Sequence, residues 1–301
     1  GLVTCETDAS PREVQSLRFF NNSFILIRQF ENLHDDPFKP MIMWALRHDF
    51  GPQAGEYLKK GKFKTFRIVT SRKNQMVPWR SNLRKELEKR IESKLALDID
   101  PTKPNSEFWF LVRSEGYGFF GLRITNESTV EHRKRGELRP EIANIMCRLS
   151  DPKQTDSFLD PFAGHGTIVK ERLHLPYRKV VAIDKDGNLT ETLKNSIAGA
   201  KNVEIRNENS LHSSLENNSV NKIVTDPPWG IFENDLDIEA FYVDMLKEFE
   251  RVIKPNGRVV ILTAQKELFE ALLKEHSGFK IQEKYNVLIS GKKAAIYQLK
   301  K

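Results

Sequence analysis

The sequence predicts an α/β domain over residues 138–301, with a mostly parallel sheet covered on both faces, preceded by a smaller α+β region. The first observation behind this prediction is an alternation of strand-like and helix-like segments from residue 138 onward. The second is a C-terminal pair of strand-like segments, 285–289 and 294–299, joined by a Ser290-Gly291 turn. The third is the length of 301 residues, which corresponds to about two domains at roughly 150 residues each.

The first 137 residues contain the elements of the α+β region. A helix is predicted near Ser10-Pro11, where a capping serine precedes a proline of the first turn. Further helices are predicted at 40–48 and around Leu83, Leu87, Ile91 and Leu95, with a break at Phe50-Gly51-Pro52, and strands at 23–27, 64–70, 107–112 and 117–122. We divide this part of the chain into a small α+β domain (1–55), a second domain (56–126) and a polar linker (127–137).

The second half alternates regularly between strands and helices. The predicted strands are 157–159, 179–183, 203–205, 222–225 and 258–263, and the predicted helices are 141–149, 167–174, 189–199 and 238–253. Folds of this kind bind their ligands at the carboxyl ends of the parallel strands. The loops that follow the strands are therefore where we expect a site.

The composition is that of a folded globular chain, with 39% hydrophobic and 30% charged residues. No apolar run approaches the roughly 18 residues that cross a bilayer, and the first residues do not resemble a signal peptide, so we expect no membrane attachment. Two distant cysteines, Cys5 and Cys147, argue against a disulfide scaffold and predict a cytoplasmic location. The seven histidines lack metal-ligand spacing, so we expect no metal site.

The net charge of +7 lies almost entirely in the first half. Residues 1–137 hold 24 Lys+Arg and 18 Asp+Glu, whereas residues 138–301 hold 24 and 23. Between Lys59 and Arg90 there are 12 basic residues and two acidic ones. This asymmetry indicates an anionic partner held by one half, although a merely soluble basic domain would show it too.

Two features of the second half indicate a nucleoside-like ligand. The segment 160–167 (DPFAGHGT) follows a predicted strand and opens a helix, and its two glycines let the backbone turn tightly and approach a ligand closely. Asp184 ends the next strand, at the position where an acidic side chain accepts hydrogen bonds from ribose hydroxyls in nucleoside-binding α/β folds. Taken alone, either feature could equally be an ordinary turn or a solvated strand end.

The segment 225–230 (TDPPWG), which follows the fourth strand, decides between these interpretations. Its two prolines end the strand and rigidify the loop, so that the carboxylate of Asp226 and the flat ring of Trp229 share one small space. The alternative is a Pro-Pro turn beside a core tryptophan. The spacing to the glycine turn and to Asp184 favours a site.

On these motifs, residues 138–301 resemble class I S-adenosylmethionine-dependent methyltransferases that carry an Asp/Asn-Pro-Pro-aromatic motif and methylate planar nitrogens of nucleobases. Residues 56–126 resemble a THUMP domain, an RNA-binding module, and residues 1–55 weakly resemble the ferredoxin-like-type domain that precedes THUMP. Leu138-Arg139-Pro140, followed by DPFAGHGT and DPPWG, is similar to the tRNA guanosine-N2 methyltransferases. The resemblance implies a Rossmann-like, seven-stranded sheet with a C-terminal hairpin, S-adenosylmethionine as cofactor, and RNA, most often tRNA, as partner.

The resemblance also implies a cofactor site. Asp160 would orient the glycine loop, Asp184 would bind the ribose hydroxyls, and His165 would have no catalytic role. Asn209 stands where the family often has an Asp that faces the adenine amino group, and its amide oxygen can still accept that hydrogen bond without the charge. The predicted cofactor-binding residues are Asp160, Phe162, Ala163, Gly164, His165, Gly166, Thr167, Asp184, Asn209 and Ser210.

The predicted catalytic residues are Asp226, Pro227, Pro228 and Trp229. An exocyclic amine is a poor nucleophile because its lone pair is delocalised into the base. The Asp226 carboxylate and the Pro227 carbonyl would accept its two hydrogen bonds, Asp226 would also take up the proton, and Trp229 would stack on the flipped-out base. Because tryptophan also occurs at this position in adenine-N6 methyltransferases, that activity on RNA or DNA stays an alternative, as does a non-catalytic RNA-binding protein.

The basic half supplies the predicted RNA-binding residues, whose contacts with phosphates give affinity without sequence specificity. They are Lys59, Lys60, Lys62, Lys64, Arg72, Lys73, Arg80, Arg133, Lys134 and Arg135. Trp79 could stack on an unpaired base, but a core position is the more common role for such a residue. The sequence leaves open whether a small activating protein is required.

Overall fold

The computed structural model describes residues 2–125, 137–230 and 236–301. The chain divides into two units, Gly1–Glu131 and His132–Lys301. No helix among the described residues has the length and apolar character needed to cross a membrane. Each unit has its own sheet and its own core.

The first unit is built on one mixed sheet. Its strands are β1 (Phe24–Phe30), β2 (Thr65–Arg72), β3 (Gln75–Met76), β4 (Asp98–Ile99), β5 (Ser106–Val112) and β6 (Gly118–Arg123). They lie in the order β1-β6-β5-β2-β3, with β4 beside β2. Strand β2 is parallel to β5, whereas β6 is antiparallel to both β1 and β5.

Four helices of the described residues accompany this sheet: α1 (Pro11–Ser16), α2 (Phe38–Arg47), α3 (Gly51–Lys60) and α4 (Asn82–Leu95). Helix α1 begins as predicted, with the Ser10 side chain capping the N–H of Glu13. The predicted break at residues 50–52 separates α2 from α3, but Pro52 itself lies in the first turn of α3, where its missing N–H costs no hydrogen bond.

The predicted boundary between residues 55 and 56 falls inside α3. Strand β1 from one side of it pairs with β6 from the other. The core likewise combines side chains of α2 with Phe66, Phe108 and Phe120 of the sheet. One sheet and one core therefore take residues from both sides of the predicted boundary.

The second unit is built on the predicted seven-stranded sheet. Its strands are β7 (Ser157–Asp160), β8 (Lys179–Asp184), β9 (Val203–Asn207), β10 (Val220–Thr225), β11 (Ile253–Thr263), β12 (Lys280–Ile289) and β13 (Lys292–Lys300). Their order is β12-β13-β11-β10-β7-β8-β9. Strands β7 to β11 are parallel, and β12 and β13 form the predicted antiparallel hairpin.

Helices cover both faces of this sheet, as predicted. They are α5 (Pro140–Leu149), α6 (Thr167–Arg172), α7 (Gly187–Ser196), α8 (Ile238–Val252) and α9 (Lys266–His276). Because successive strand residues point to opposite faces, Val259 and Ile261 pack with α8 and α9, while Val260 and Leu262 pack with α5, α6 and α7. Cys147 of α5 is fully buried in the second of these layers.

The strand order creates a crevice at the carboxyl end of β7. From β7 the chain proceeds to β8 and β9 on one side and then returns to β10 on the other. The loops after β7 and β10 therefore lead away from each other and leave a crevice where they part, which is the usual ligand position in open α/β sheets. Asp184 ends β8 at this edge, and the glycine turn (160–167) and the DPPW segment (226–229) lie at the ends of β7 and β10.

Candidate active site

The loop after β7 depends on its two glycines. Gly164 and Gly166 have φ angles of +51° and +80°, in the left-handed region that favours glycine. A Cβ on Gly166 would lie 2.1 Å from Cδ1 of Leu193, because the start of α6 packs closely against α7. A Cβ on Gly164 would meet no described atom within 4 Å. The backbone at Gly164 therefore faces space that a ligand can fill.

Asp184 at the end of β8 fixes this loop. Its Oδ2 accepts a hydrogen bond from the N–H of Gly164 at 2.7 Å, and its Oδ1 accepts one from the N–H of Asp186 at 2.9 Å. Each carboxylate oxygen has a second acceptor site. Asp184 can therefore hold the loop and still accept hydrogen bonds from two vicinal hydroxyls of a ligand.

Asp160 links the glycine loop to the strand that carries the DPPW segment. It is 1% exposed, and its Oδ1 accepts hydrogen bonds from the Thr225 hydroxyl at 3.0 Å and from the N–H of Phe162 at 3.4 Å. Its Oδ2 is buried without a partner among the described residues. Burial, together with the nearby carboxylates of Asp184 and Asp226, raises the pKa of Asp160 to about 8.

In the DPPW segment, an internal hydrogen bond joins two of the four predicted catalytic residues. The indole Nε1–H of Trp229 donates to Oδ1 of Asp226 at 2.9 Å. Part of the Asp226 residue is exposed, but its carboxyl is surrounded by protein, and this desolvation raises the pKa of Asp226 to about 7. The hydrogen bond from Trp229 acts in the opposite direction and lowers that pKa.

Two residues that sequence reasoning missed hold the backbone of this segment. The hydroxyl of Tyr242 in α8 donates to the Pro228 carbonyl at 3.2 Å, and the side-chain amide of Gln265 donates to the Trp229 carbonyl at 2.6 Å. Among the described residues, none donates a hydrogen bond to the Pro227 carbonyl. That carbonyl and the Asp226 carboxylate can therefore serve a substrate amine.

Residues 129–295, more than half of the chain, match the family model described as UPF0020: RMKL-like, methyltransferase domain. The chain belongs to this family. It is 27% identical over 202 residues to the tRNA (guanine(6)-N2)-methyltransferase of Thermus thermophilus, covering 62% of this chain and 60% of that protein. It is 31% identical over 175 residues to the U6 snRNA (guanine-N(2))-methyltransferase THUMPD2 of Bos taurus, covering 55% of this chain and 34% of that protein. The chain spans about half the length of the curated relatives it matches.

The fold is similar to that of TrmN from Thermus thermophilus, with a TM-score of 0.73 at 22% identity, covering 99% of this chain and 88% of that one. Together with the family match, this likeness confirms the predicted Rossmann-like methyltransferase fold.

In the methyltransferase domain, the predicted cofactor residues lie at the carboxyl ends of β7 and β8 and in the segments that directly follow β7 and β9. Ala163, Gly166 and Thr167 are buried in the glycine turn, and Ser210 is buried beside the exposed Asn209. The Asn209 side-chain oxygen already caps the N–H of Leu211 at 3.1 Å and has one acceptor site left. The ring of Phe162 packs against Phe241 of α8, with the ring centres 5.4 Å apart, so its side chain serves the core.

Glu137 is a further residue of this site that the sequence did not single out. Its Oε1 accepts a hydrogen bond from the Thr167 hydroxyl at 3.3 Å, at the start of α6. The place of Gln265 in the sequence could have revealed its role, because Gln265 follows the carboxyl end of β11. Nothing in the local sequence marks Glu137. The described parts of the chain contain no group of three His, Cys, Asp or Glu residues that could hold a metal ion.

The predicted RNA-binding residues that the structure describes are all exposed: Lys59, Lys60, Lys62, Lys64, Arg72, Lys73 and Arg80. Arg133, Lys134 and Arg135 lie outside the described residues, as does most of the predicted linker 127–137. Trp79 is half-buried against the core of the first unit, and its indole N–H donates to Asp36 at 3.0 Å. It has the core position that is the more common role of such a residue.

The buried carboxyl of Asp160 predicts a pH-dependent stability. Because the pKa of Asp160 is raised to about 8, the folded protein keeps a proton that the unfolded chain loses near pH 4. Stability therefore falls as the pH rises from about 4 to about 8 and then levels off. The variant Asp160→Asn is neutral throughout, so its Tm relative to the wild type should rise from pH 5 to about pH 8 and then level off in cofactor-free protein.

The measurement is thermal unfolding at pH 5, 7 and 9. Asp244→Asn is the control, because the Asp244 carboxylate of α8 is partly exposed and, among the described residues, pairs only with the surface residue Lys247; it should keep a constant Tm difference from the wild type. If the Tm of Asp160→Asn parallels the wild-type Tm across this range, Asp160 does not titrate there.

Proposed function

We propose that this protein is an S-adenosylmethionine-dependent RNA methyltransferase that forms N2-methylguanosine in tRNA. The observation that carries the proposal is the Asp160–Thr225 hydrogen bond, which joins the glycine loop to the strand preceding the DPPW segment. It brings acceptors for a nucleoside cofactor and acceptors for a base amine to one crevice. The names of the curated relatives, which are guanine-N2 methyltransferases of tRNA or U6 snRNA, support the choice of base and of RNA.

The residues present fit S-adenosylmethionine. Asp184 offers two acceptors to the ribose hydroxyls, the open backbone at Gly164 leaves room for the methionine part, and the Asn209 oxygen can accept a hydrogen bond from the adenine amino group. When bound, this cofactor supplies an electrophilic methyl group on a sulfonium.

The protein's contribution to the transfer is to orient the amine and to accept its proton. The Asp226 carboxylate and the Pro227 carbonyl each accept one N–H of the guanine amine, which holds its nitrogen toward the cofactor. Methylation would make the nitrogen cationic and therefore acidic as the sulfonium leaves as a neutral thioether, and Asp226 would take up the proton. A carboxyl with a pKa of about 7 is well matched to this role near neutral pH.

We assign RNA binding to the first unit, as a THUMP-containing region. The seven predicted RNA-binding side chains that the structure describes there are solvent-exposed, so they are available to phosphates. A target base inside a helix cannot reach the crevice between the loops, so the nucleotide must be unpaired or flipped out. A cytoplasmic location stays a prediction.

The test is nucleoside mass spectrometry after incubation with S-adenosylmethionine and unmodified tRNA or U6 snRNA. N2-methylguanosine in tRNA is the expected product. N2-methylguanosine in U6 snRNA alone would show that the substrate is U6 snRNA and not tRNA. N6-methyladenosine would overturn the choice of base. No methyl transfer to either RNA would overturn the proposal, and activity of the purified chain alone would show that it needs no activating protein.

A further inference from the structure

Hydrogen bonds hold both the backbone and the side chain of Trp229. Its backbone carbonyl accepts the hydrogen bond from Gln265, and its indole N–H donates to Asp226 three residues before it. The ring is half-buried against the core layer that contains α5, α6 and α7. The indole is therefore fixed beside the carboxylate, and stacking on a base is not its only available role.

The contact depends on the chemistry of tryptophan. An indole has a single donor, its N–H, and phenylalanine has none. A hydrogen bond from that donor takes one of the two acceptor sites of Asp226 Oδ1 and restricts rotation of the carboxylate. Oδ2 then remains available to the substrate amine.

We propose that Trp229, anchored by Gln265, is a positioning residue for Asp226: its indole N–H orients the carboxylate so that one oxygen is reserved for the amine of the substrate. This inference rests on the proposed function only for the identity of that amine. The hydrogen bond itself can be tested in the free protein.

The effect of the Trp229–Asp226 hydrogen bond on the pKa of Asp226 can be measured, because the surrounding charges do not mask it. Among the residues that the structure describes, the titratable groups that interact electrostatically with Asp226 are Asp160 from β7 and Tyr242 from α8, and neither favours ionisation of Asp226. Among the described residues, the hydrogen bond from Trp229 is the one influence that lowers the pKa of Asp226. Loss of the indole N–H should therefore raise that pKa and leave less carboxylate at neutral pH.

The first experiment is a pH–rate profile of methyl transfer. Trp229→Phe keeps an aromatic ring and loses the donor, while 3-benzothienylalanine incorporated at position 229 keeps the bicyclic shape and loses only the N–H. For both variants we expect the acid limb of kcat to move up by roughly one pH unit, the size expected for one hydrogen bond to a charged group. An unchanged acid limb with the benzothienyl variant would overturn the proposal.

Gln265→Ala tests the anchor. A less restrained Trp229 should move the acid limb of kcat in the same direction as the Trp229 variants, but by a smaller amount. The KM for the cofactor should be unchanged. A merely structural role of Gln265 would lower kcat equally at every pH.

The second experiment needs no activity. In the free protein, the indole N–H resonance of Trp229, assigned by its loss in Trp229→Phe, should titrate with a midpoint near pH 7 and should stop titrating in Asp226→Ala. Trp109 is an internal reference, because its indole N–H donates to Glu107 at 2.9 Å. Burial of Glu107 is outweighed by its hydrogen bonds from Arg123 and Trp109, which hold the pKa of Glu107 below its usual value.

The two experiments separate the possible failures. A Trp229 resonance that does not follow Asp226 would overturn the inference, whatever the enzyme does. Absence of methyl transfer by the wild type would overturn the proposed function, while the titration would still decide the contact.

Discussion

Asp226→Ala should lower kcat for methyl transfer by roughly 10²- to 10⁴-fold, the range for loss of a general base or of a hydrogen-bond partner in the transition state. Cofactor affinity should stay close to that of the wild type. The reason is that Asp226 accepts its hydrogen bond from Trp229, whereas the hydrogen bonds that hold the glycine loop go to Asp184 and Asp160. Single-turnover methyl transfer and calorimetric titration with S-adenosylmethionine measure the two effects separately.

Asp226→Asn is the matched variant. Its amide oxygen can still accept from Trp229 or from the substrate amine, but it cannot take up a proton near neutral pH. We expect its activity to lie between those of the wild type and Asp226→Ala, with a flatter acid limb. Asp244→Ala on the exposed face of α8 controls for loss of a carboxylate elsewhere. Loss of both methyl transfer and cofactor binding in Asp226→Ala would assign Asp226 to the structure of the loop.

The parts of the site that the sequence predicts are those encoded next to a strand. The glycine turn, Asp184 and the DPPW segment each lie at the carboxyl end of a strand of the parallel sheet. Parallel strands end at one edge, so these three segments had to lie together once the alternation of strands and helices was recognised.

The contacts that connect these segments were beyond sequence reasoning. The Asp160–Thr225 hydrogen bond spans 65 positions, and the Gln265–Trp229 hydrogen bond spans 36. Both depend on β10 lying beside β7 and β11, and on side-chain rotamers, which no local pattern encodes. The pKa of Asp160 could not be foreseen either, since it follows from burial.

The same distinction holds for the fold. The ends of β7 and β8 were predicted within a residue, because short apolar runs mark them. Strand β11 begins at Ile253 although 255–257 (PNG) has the composition of a turn, and Asn256 has a φ of +62° within it. The pairing of β1 with β6 joins segments about 95 positions apart, and no repeat or spacing in the sequence indicates it.

Replacing Lys59, Lys60, Lys62 and Lys64 with Glu should weaken RNA binding by at least roughly 10²-fold at moderate salt and lower the salt slope of the binding constant by about three. All four side chains are exposed around the end of α3 and the start of β2. Lys60 pairs with Glu56 at 2.7 Å, but both side chains are about three-quarters exposed, so this pair contributes little to stability. The fold and cofactor binding should therefore survive, which thermal unfolding and calorimetry would verify.

The control is a second quartet that carries the same change of charge. Lys194, Lys201, Lys274 and Lys280 are exposed positions of the second unit, and their replacement with Glu alters the net charge equally. If RNA is held by contacts with the first unit, the variant of the first quartet must lose far more RNA affinity, and a larger part of the salt slope of binding, than the variant of the second quartet. Equal losses would mean that the overall net charge attracts the RNA, without particular contacts of the first unit. Unchanged affinity in the first quartet would remove these lysines from the interface, because each phosphate contact that is lost must appear in the salt slope.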